Sequence, residues 1–155
     1  MRASNNSRLR SWIRWAGHGL IIVVLLAACA PAATPAPINS ITGIVWQWMS
    51  VSEAGNTTNV PDPTKYTIVF NPDGTLTGQA DCNSFTGAWS QQNGFTIKLG
   101  ASTMAYCGDT SLDQQYLALL SNVAAGGPDG AGNLALETAG GAQRMLFKNG
   151  GAAPK

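Results

Sequence analysis

Histidine occurs once in this 155-residue chain, at position 18. Cysteine occurs three times, and charged residues make up only 11% of the whole. No apolar run approaches the roughly 20 residues that a bilayer-spanning helix needs. The longest, Leu20 to Leu26 with its small flanking residues, is about half that length. These scarcities exclude a good deal. Without a histidine beyond position 18 there is no Ser-His-Asp triad, no Cys-His pair and no histidine metal ligation in the body of the chain. No phosphate-cradling glycine loop is present. Asp81, Asp109, Asp113 and Glu137 have no spacing that sets two carboxylates across a cleft. The chain reads as a non-enzyme with no cofactor and no metal. Asp129-Gly130-Ala131-Gly132 lacks the successive carboxylates of a calcium loop and reads as a turn.

The basic residues are unevenly placed. Arg2, Arg8, Arg10 and Arg14 precede the apolar run, and no acidic residue does. Ala27-Ala28-Cys29 follows it. A basic segment, a short apolar stretch and small residues before a cut form the pattern of an export signal. Leu26-Ala27-Ala28-Cys29 resembles a lipobox, so residues 1–28 are expected to be removed and Cys29 to carry lipid. The alternatives are an ordinary signal peptide with a chance cysteine, or an uncleaved anchor. Ala30 in place of Asp leans towards the outer membrane where a cell has one, and otherwise to the outer face of the cell membrane. Beyond position 28 five basic residues face eight acidic ones, a net charge of −3. That is no footprint for nucleic acid. Residues 29–40 form a Pro/Ala tether, 41–149 a single domain, and 150–155 a loose tail.

Within the domain the signals are short strands and tight turns. Gly43 to Val51 is aromatic-rich and partly alternating, with Trp46 and Trp48. Ser52 to Thr64 reads as a loop. Tyr66 to Phe70 alternates, Asn71-Pro72-Asp73-Gly74 is a turn, and Thr75 to Gly78 returns. Thr86 to Gln91 carries Trp89, Asn93-Gly94 marks a hairpin, and Phe95 to Leu99 alternates. Leu112, Tyr116, Leu119, Leu120 and Val123 fall at helical spacing, opened by Ser111 and Gln114 as a capping box and stopped by Gly126-Gly127-Pro128. Asn133 to Glu137 and Gln143 to Lys148 are two further strands. The order predicts an α+β domain, an antiparallel sheet curled around or covered by one helix. Cys82 and Cys107 are expected to form a disulfide in an oxidising compartment. Closing about 25 residues would stabilise by roughly 3 kcal/mol on the chain-entropy argument. The alternative, a reactive thiol or metal ligand, has no histidine to support it.

Tyr66, Phe70, Asp73, Gly74, Gly78, Cys82, Asn83, Phe85 and Gly87, followed by Thr103 and Cys107, stand in an order that resembles the META domain, the family of the heat-shock protein HslJ. Trp46 sits where that family has its early tryptophan, and Tyr116, Leu120, Leu134 and Leu136 continue the pattern. Met104-Ala105-Tyr106 departs from it, because many relatives carry a basic residue early in that stretch. The resemblance implies a small β-rich domain wrapped on a single helix, similar to the cracked barrel of lipid-binding pilotin lipoproteins. It also implies links to envelope stress, and no enzymatic activity. The residues have structural readings too. Gly74 suits a turn and Gly78 a bulge, Asp73 a turn, and Asn83 a tight corner. Trp46, Trp48 and Trp89 read first as core residues that fill a small barrel or cover its mouth. Three functions fit: first, as the least demanding, binding an envelope protein partner in stress or assembly; second, carrying a lipid or small hydrophobic ligand in a cavity; third, gripping glycan through those tryptophans if they are exposed.

Overall fold

A computed structural model describes residues 40–154. The signal, Cys29 and the tether up to Asn39 lie outside the described residues. Nine strands and one α-helix follow in order, with short 3-10 turns at Pro63–Lys65 and Ala139–Gly141: β1 Ile44–Glu53, β2 Asn56–Asn59, β3 Tyr66–Phe70, β4 Thr75–Ala80, β5 Asn83–Ser90, β6 Thr96–Ser102, α1 Asp113–Ser121, β7 Val123–Pro128, β8 Leu134–Thr138 and β9 Gln143–Ala152. All the ladders are antiparallel and form one sheet in the order β6-β5-β4-β3-β1-β9-β8-β7, with β2 paired to β1. Alternation decides which face is covered. In β3, Tyr66, Ile68 and Phe70 are buried while Thr67 and Val69 are half-buried. Each large apolar side chain so buried contributes roughly 1.5–3 kcal/mol of transfer free energy.

The sheet curls until its edges approach. A Cβ at Gly126 of β7 would lie 3.3 Å from the ring of Phe95, which leads into β6. The chain between these edges supplies α1. Tyr116 of the helix stacks on Trp48 of β1 at 5.1 Å, meets Tyr66 and Phe85 edge-on, and lies 6.3 Å from Phe147 of β9. A second aromatic group, Phe70, Trp89 and Phe95, fills the core near the β6–β7 approach. The fold is therefore mostly antiparallel β with one helix. No helix among the described residues is long and apolar enough to cross a membrane.

Several local expectations need correction. The Ser52–Thr64 stretch is not all loop. Ser52 and Glu53 belong to β1, and Asn56–Asn59 pairs back on it as a fully exposed edge strand. The helix stops at Ser121, well before the glycines. Asn122 caps it through its backbone N–H, and Val123 opens β7, so the apolar spacing of Val123 belongs to a strand. The capping box does not form. Ser111 Oγ accepts the N–H of Asp113, and Gln114 turns its amide to the Asp113 carboxylate. Residues 150–153 are no loose tail. Ile44 pairs with Ala152, and Ala153 N–H donates to Gly43 O. Gly78 sits at no bulge, since the register is regular on both sides of it. A Cβ there would fall 2.3 Å from both Thr67 O and the Phe85 ring, so the position is kept bare by close approach.

Candidate functional site

One buried amide organises the end of the molecule where β5 meets α1. Asn83, the first residue of β5, is 1% exposed. Its Oδ1 accepts from Ala105 N at 2.7 Å and from Thr103 Oγ1 at 3.1 Å. Its Nδ2 shares two hydrogens among Ala105 O at 3.0 Å, Cys107 Sγ at 3.2 Å and Asp113 Oδ2 at 3.2 Å. Thr103 Oγ1 also accepts from Ser84 N. Asn83 thus takes over the backbone groups of a loop that no sheet partner satisfies. Cys82 and Cys107 form a disulfide beside it, with Cα atoms 5.6 Å apart. The reading of this pair as a disulfide and of Asn83 as a corner residue both match the geometry.

On the other flank, Asp81 takes a left-handed backbone at φ +57°. Its carboxylate lies 3.1 Å from Lys65 Nζ and accepts from Tyr66 Oη. Hydrogen bonding to Lys65, then to Ser111 and Tyr66, holds its pKa below the ordinary value. Tyr66 Oη accepts in turn from Leu112 N at 2.8 Å. This relay ties the β3–β4 hairpin to the start of α1.

Held from both sides, the loop from Thr103 to Leu112 presents Met104, 89% exposed, and Tyr106, 80% exposed. They are the exposed large hydrophobic side chains among the described residues. Tyr106 Oη donates to Asp109, which raises the tyrosine pKa. Between this loop and the first turn of α1 lies an open groove of about 400 Å³, lined by Met104, Tyr106, Cys107, Ser111, Asp113 and Gln114 among others.

The family model for the META domain matches residues 39–151. The chain belongs to the META domain family. No curated protein matches it. Among solved structures, a DUF4847 family protein from Bacteroides vulgatus shares 18% identity, over 72% of this chain and 95% of that one, with a TM-score of 0.53. That likeness concerns the fold.

The remaining META motif residues are distributed through the core. Phe70 is fully buried and Phe85 lies over Gly78. Gly87 faces Lys98 O at 2.4 Å from where a Cβ would be. Gly74 has φ +84° in the turn, where Asp73 Oδ1 accepts from Thr75 N and Oγ1. Trp46 and Trp48 are buried, with indole N–H groups donating to Ile41 O and Ser50 O. Trp89 is half-buried and donates to Asn71 O. Trp46 and Trp48 are therefore core residues, as the first reading of them has it, and only Trp89 is left for a glycan platform. Between α1 and the sheet the stacked rings occupy the interior where a carried ligand would sit. Asp129 accepts from Ala131 N, Asn133 N and Asn133 Nδ2, as a turn residue does.

Of the motif residues, Cys107 lines the groove, while Cys82, Asn83, Thr103 and Tyr66 hold the loop and the start of α1 behind it. Met104, Tyr106 and Asp113 line the groove without belonging to the motif, and Lys65 and Asp81 support it through Tyr66. The departure of Met104-Ala105-Tyr106 from the family pattern falls on this loop.

Proposed function

We propose that this META domain protein is a lipid-anchored component of the bacterial cell envelope that acts without catalysis by binding a protein partner, in envelope stress or assembly. Removal of residues 1–28, lipid on Cys29, and residues 29–40 as a spacer place the domain near a membrane surface; Ala30 favours the outer membrane where one exists. The observation that carries partner binding is the pairing of two highly exposed apolar side chains, Met104 and Tyr106, on a loop fixed by Asn83 and the Cys82–Cys107 bond. A preordered loop loses little entropy on docking, and methionine and tyrosine are favoured contact residues.

Two experiments test this. Intact-mass analysis of the purified protein should show an N-terminus at Cys29 carrying acyl chains, and Cys29→Ser should abolish both the cut and the lipid. A chain that keeps residues 1–28, or starts elsewhere without lipid, overturns the anchor. A photo-crosslinking residue at position 104 or 106 should capture a defined envelope protein in cells, and the same residue at exposed Thr58 should not. Equal capture at both places overturns the assignment of the surface.

A further inference from the structure

Asp113 is the first residue of α1 and only 7% exposed. Its position at a helix N-terminus favours a negative charge, but that does not account for the state of its two oxygens. The side-chain hydrogen bonds it accepts, from Asn83 Nδ2 and Gln114 Nε2, both arrive at Oδ2. Oδ1 accepts none among the described residues and is not sealed in the core, since Asp113 lines the groove. Among the described residues neither Asp113 nor Asp109 takes part in an ion pair. Lys65 is held by Asp81, and Arg144 lies beside Glu137. The lining carries no cation. Its walls include the exposed Tyr106 ring and the Met104 thioether, with the Ser111 hydroxyl and Gln114 amide alongside. A buried carboxylate with an open oxygen, sharing a groove with a tyrosine ring and a flexible apolar chain, has the chemistry that receives a positively charged group on an alkyl stem.

We propose that this groove binds a lysine or arginine side chain of the protein partner, with Asp113 as counter-ion and Tyr106 and Met104 flanking the stem. The proposal rests on the partner-binding reading and gives that partner a basic contact residue. The net charge of −3 beyond position 28 agrees in sign.

The test uses the full chain, purified in detergent from an exporting host and isotope-labelled for NMR. The probes are acetyl-Gly-Arg-Gly-amide, its citrulline counterpart, which has the same shape without the charge, and its norleucine counterpart. The arginine peptide should perturb resonances of residues 104–114 and bind at least about tenfold more tightly than citrulline. Asp113→Asn, which keeps an acceptor for Asn83, should reduce it to the citrulline level. Tyr106→Ala, at a surface position that leaves the core intact, should weaken it by roughly threefold. Rising salt should weaken the arginine peptide and leave norleucine unchanged. Equal binding of arginine and citrulline overturns the proposal, as does undiminished binding by folded Asp113→Asn. Preferred binding of norleucine assigns the groove to an apolar side chain and also overturns it. A protein crosslinked at position 106 with no arginine preference in the groove removes this inference alone. Arginine binding with no crosslinked protein supports the groove and removes the envelope-partner reading alone.

Discussion

At the scale of the residue, Tyr116 and Gly78 show opposite ways in which a core constrains its members. The Tyr116 ring is fully buried among Trp48, Tyr66, Phe85 and Phe147, and its hydroxyl has no hydrogen-bond partner among the described residues. Burial also raises its pKa well above 10.0. A buried unpaired hydroxyl costs on the order of 1–3 kcal/mol. Tyr116→Phe should therefore be stabilising, by about 1 kcal/mol in urea denaturation. A loss of stability would mean that a buried water holds the hydroxyl. At Gly78 a methyl group would strike the carbonyl of Thr67, which is backbone and cannot swing aside. Gly78→Ala should destabilise by at least about 2 kcal/mol, read by the same denaturation. The repeated glycine in the motif was visible in the sequence. Its purpose was not, because a close approach between strands is a property of the sheet.

Among the elements, the loop between β6 and α1 and the end of β9 depend on groups far away in sequence. Ala105 N–H is paired only by virtue of Asn83, 22 residues earlier. In Asn83→Ala, hydrogen exchange at Ala105 should lose its protection while the amides of β3 and β4 keep theirs; unchanged protection at Ala105 would show that the disulfide alone orders the loop. The last strand makes the converse point. Gly150, Gly151 and Ala152 have the composition of a tail. Ile44 and Gly43 nevertheless offer backbone partners, so the chain is paired through Ala153. Truncation after Asn149 should cost about 1–2 kcal/mol of stability. Hairpins centred on Asp73-Gly74 and Asn93-Gly94 were legible because turn chemistry is local. The boundary between α1 and β7 was not, because Val123 fits a helical apolar face and an edge strand equally well, and only β8 decides between them.

For the whole molecule, the charged groups set a pH window. Asp62, Asp73, Asp81 and Asp129 all have pKa values held below 3.8, for Asp81 first by Lys65 and for the others first by side-chain hydrogen bonds from Thr64, Thr75 and Asn133. A depressed carboxylate pKa contributes stability that is complete above the unfolded value and lost as pH falls through the folded one. Lys65 and Tyr116 have raised values, so their contribution is complete below 10.5 and 10.0 respectively and lost as pH climbs further. Thermal melts should thus show a plateau from about pH 4 to pH 10 with losses on both sides. A melting temperature that rises on acidification below pH 3.8 would contradict these assignments.

The amino-acid sequence alone was enough for the META pattern, the export signal as an expectation, the alternating strands, the single helix and the pairing of Cys82 with Cys107. Each depends on composition, on periodicity along a few residues, or on a fixed order of motif residues. Tertiary structure alone decided that Trp46 and Trp48 are core residues, that Asn83 carries the loop, that β6 and β7 approach each other, and that Met104 and Tyr106 stand in solvent beside Asp113. Burial, curling and the convergence of distant polar groups arise when the sheet curls over its own aromatic side chains, and no local stretch of sequence records which of its residues will meet there.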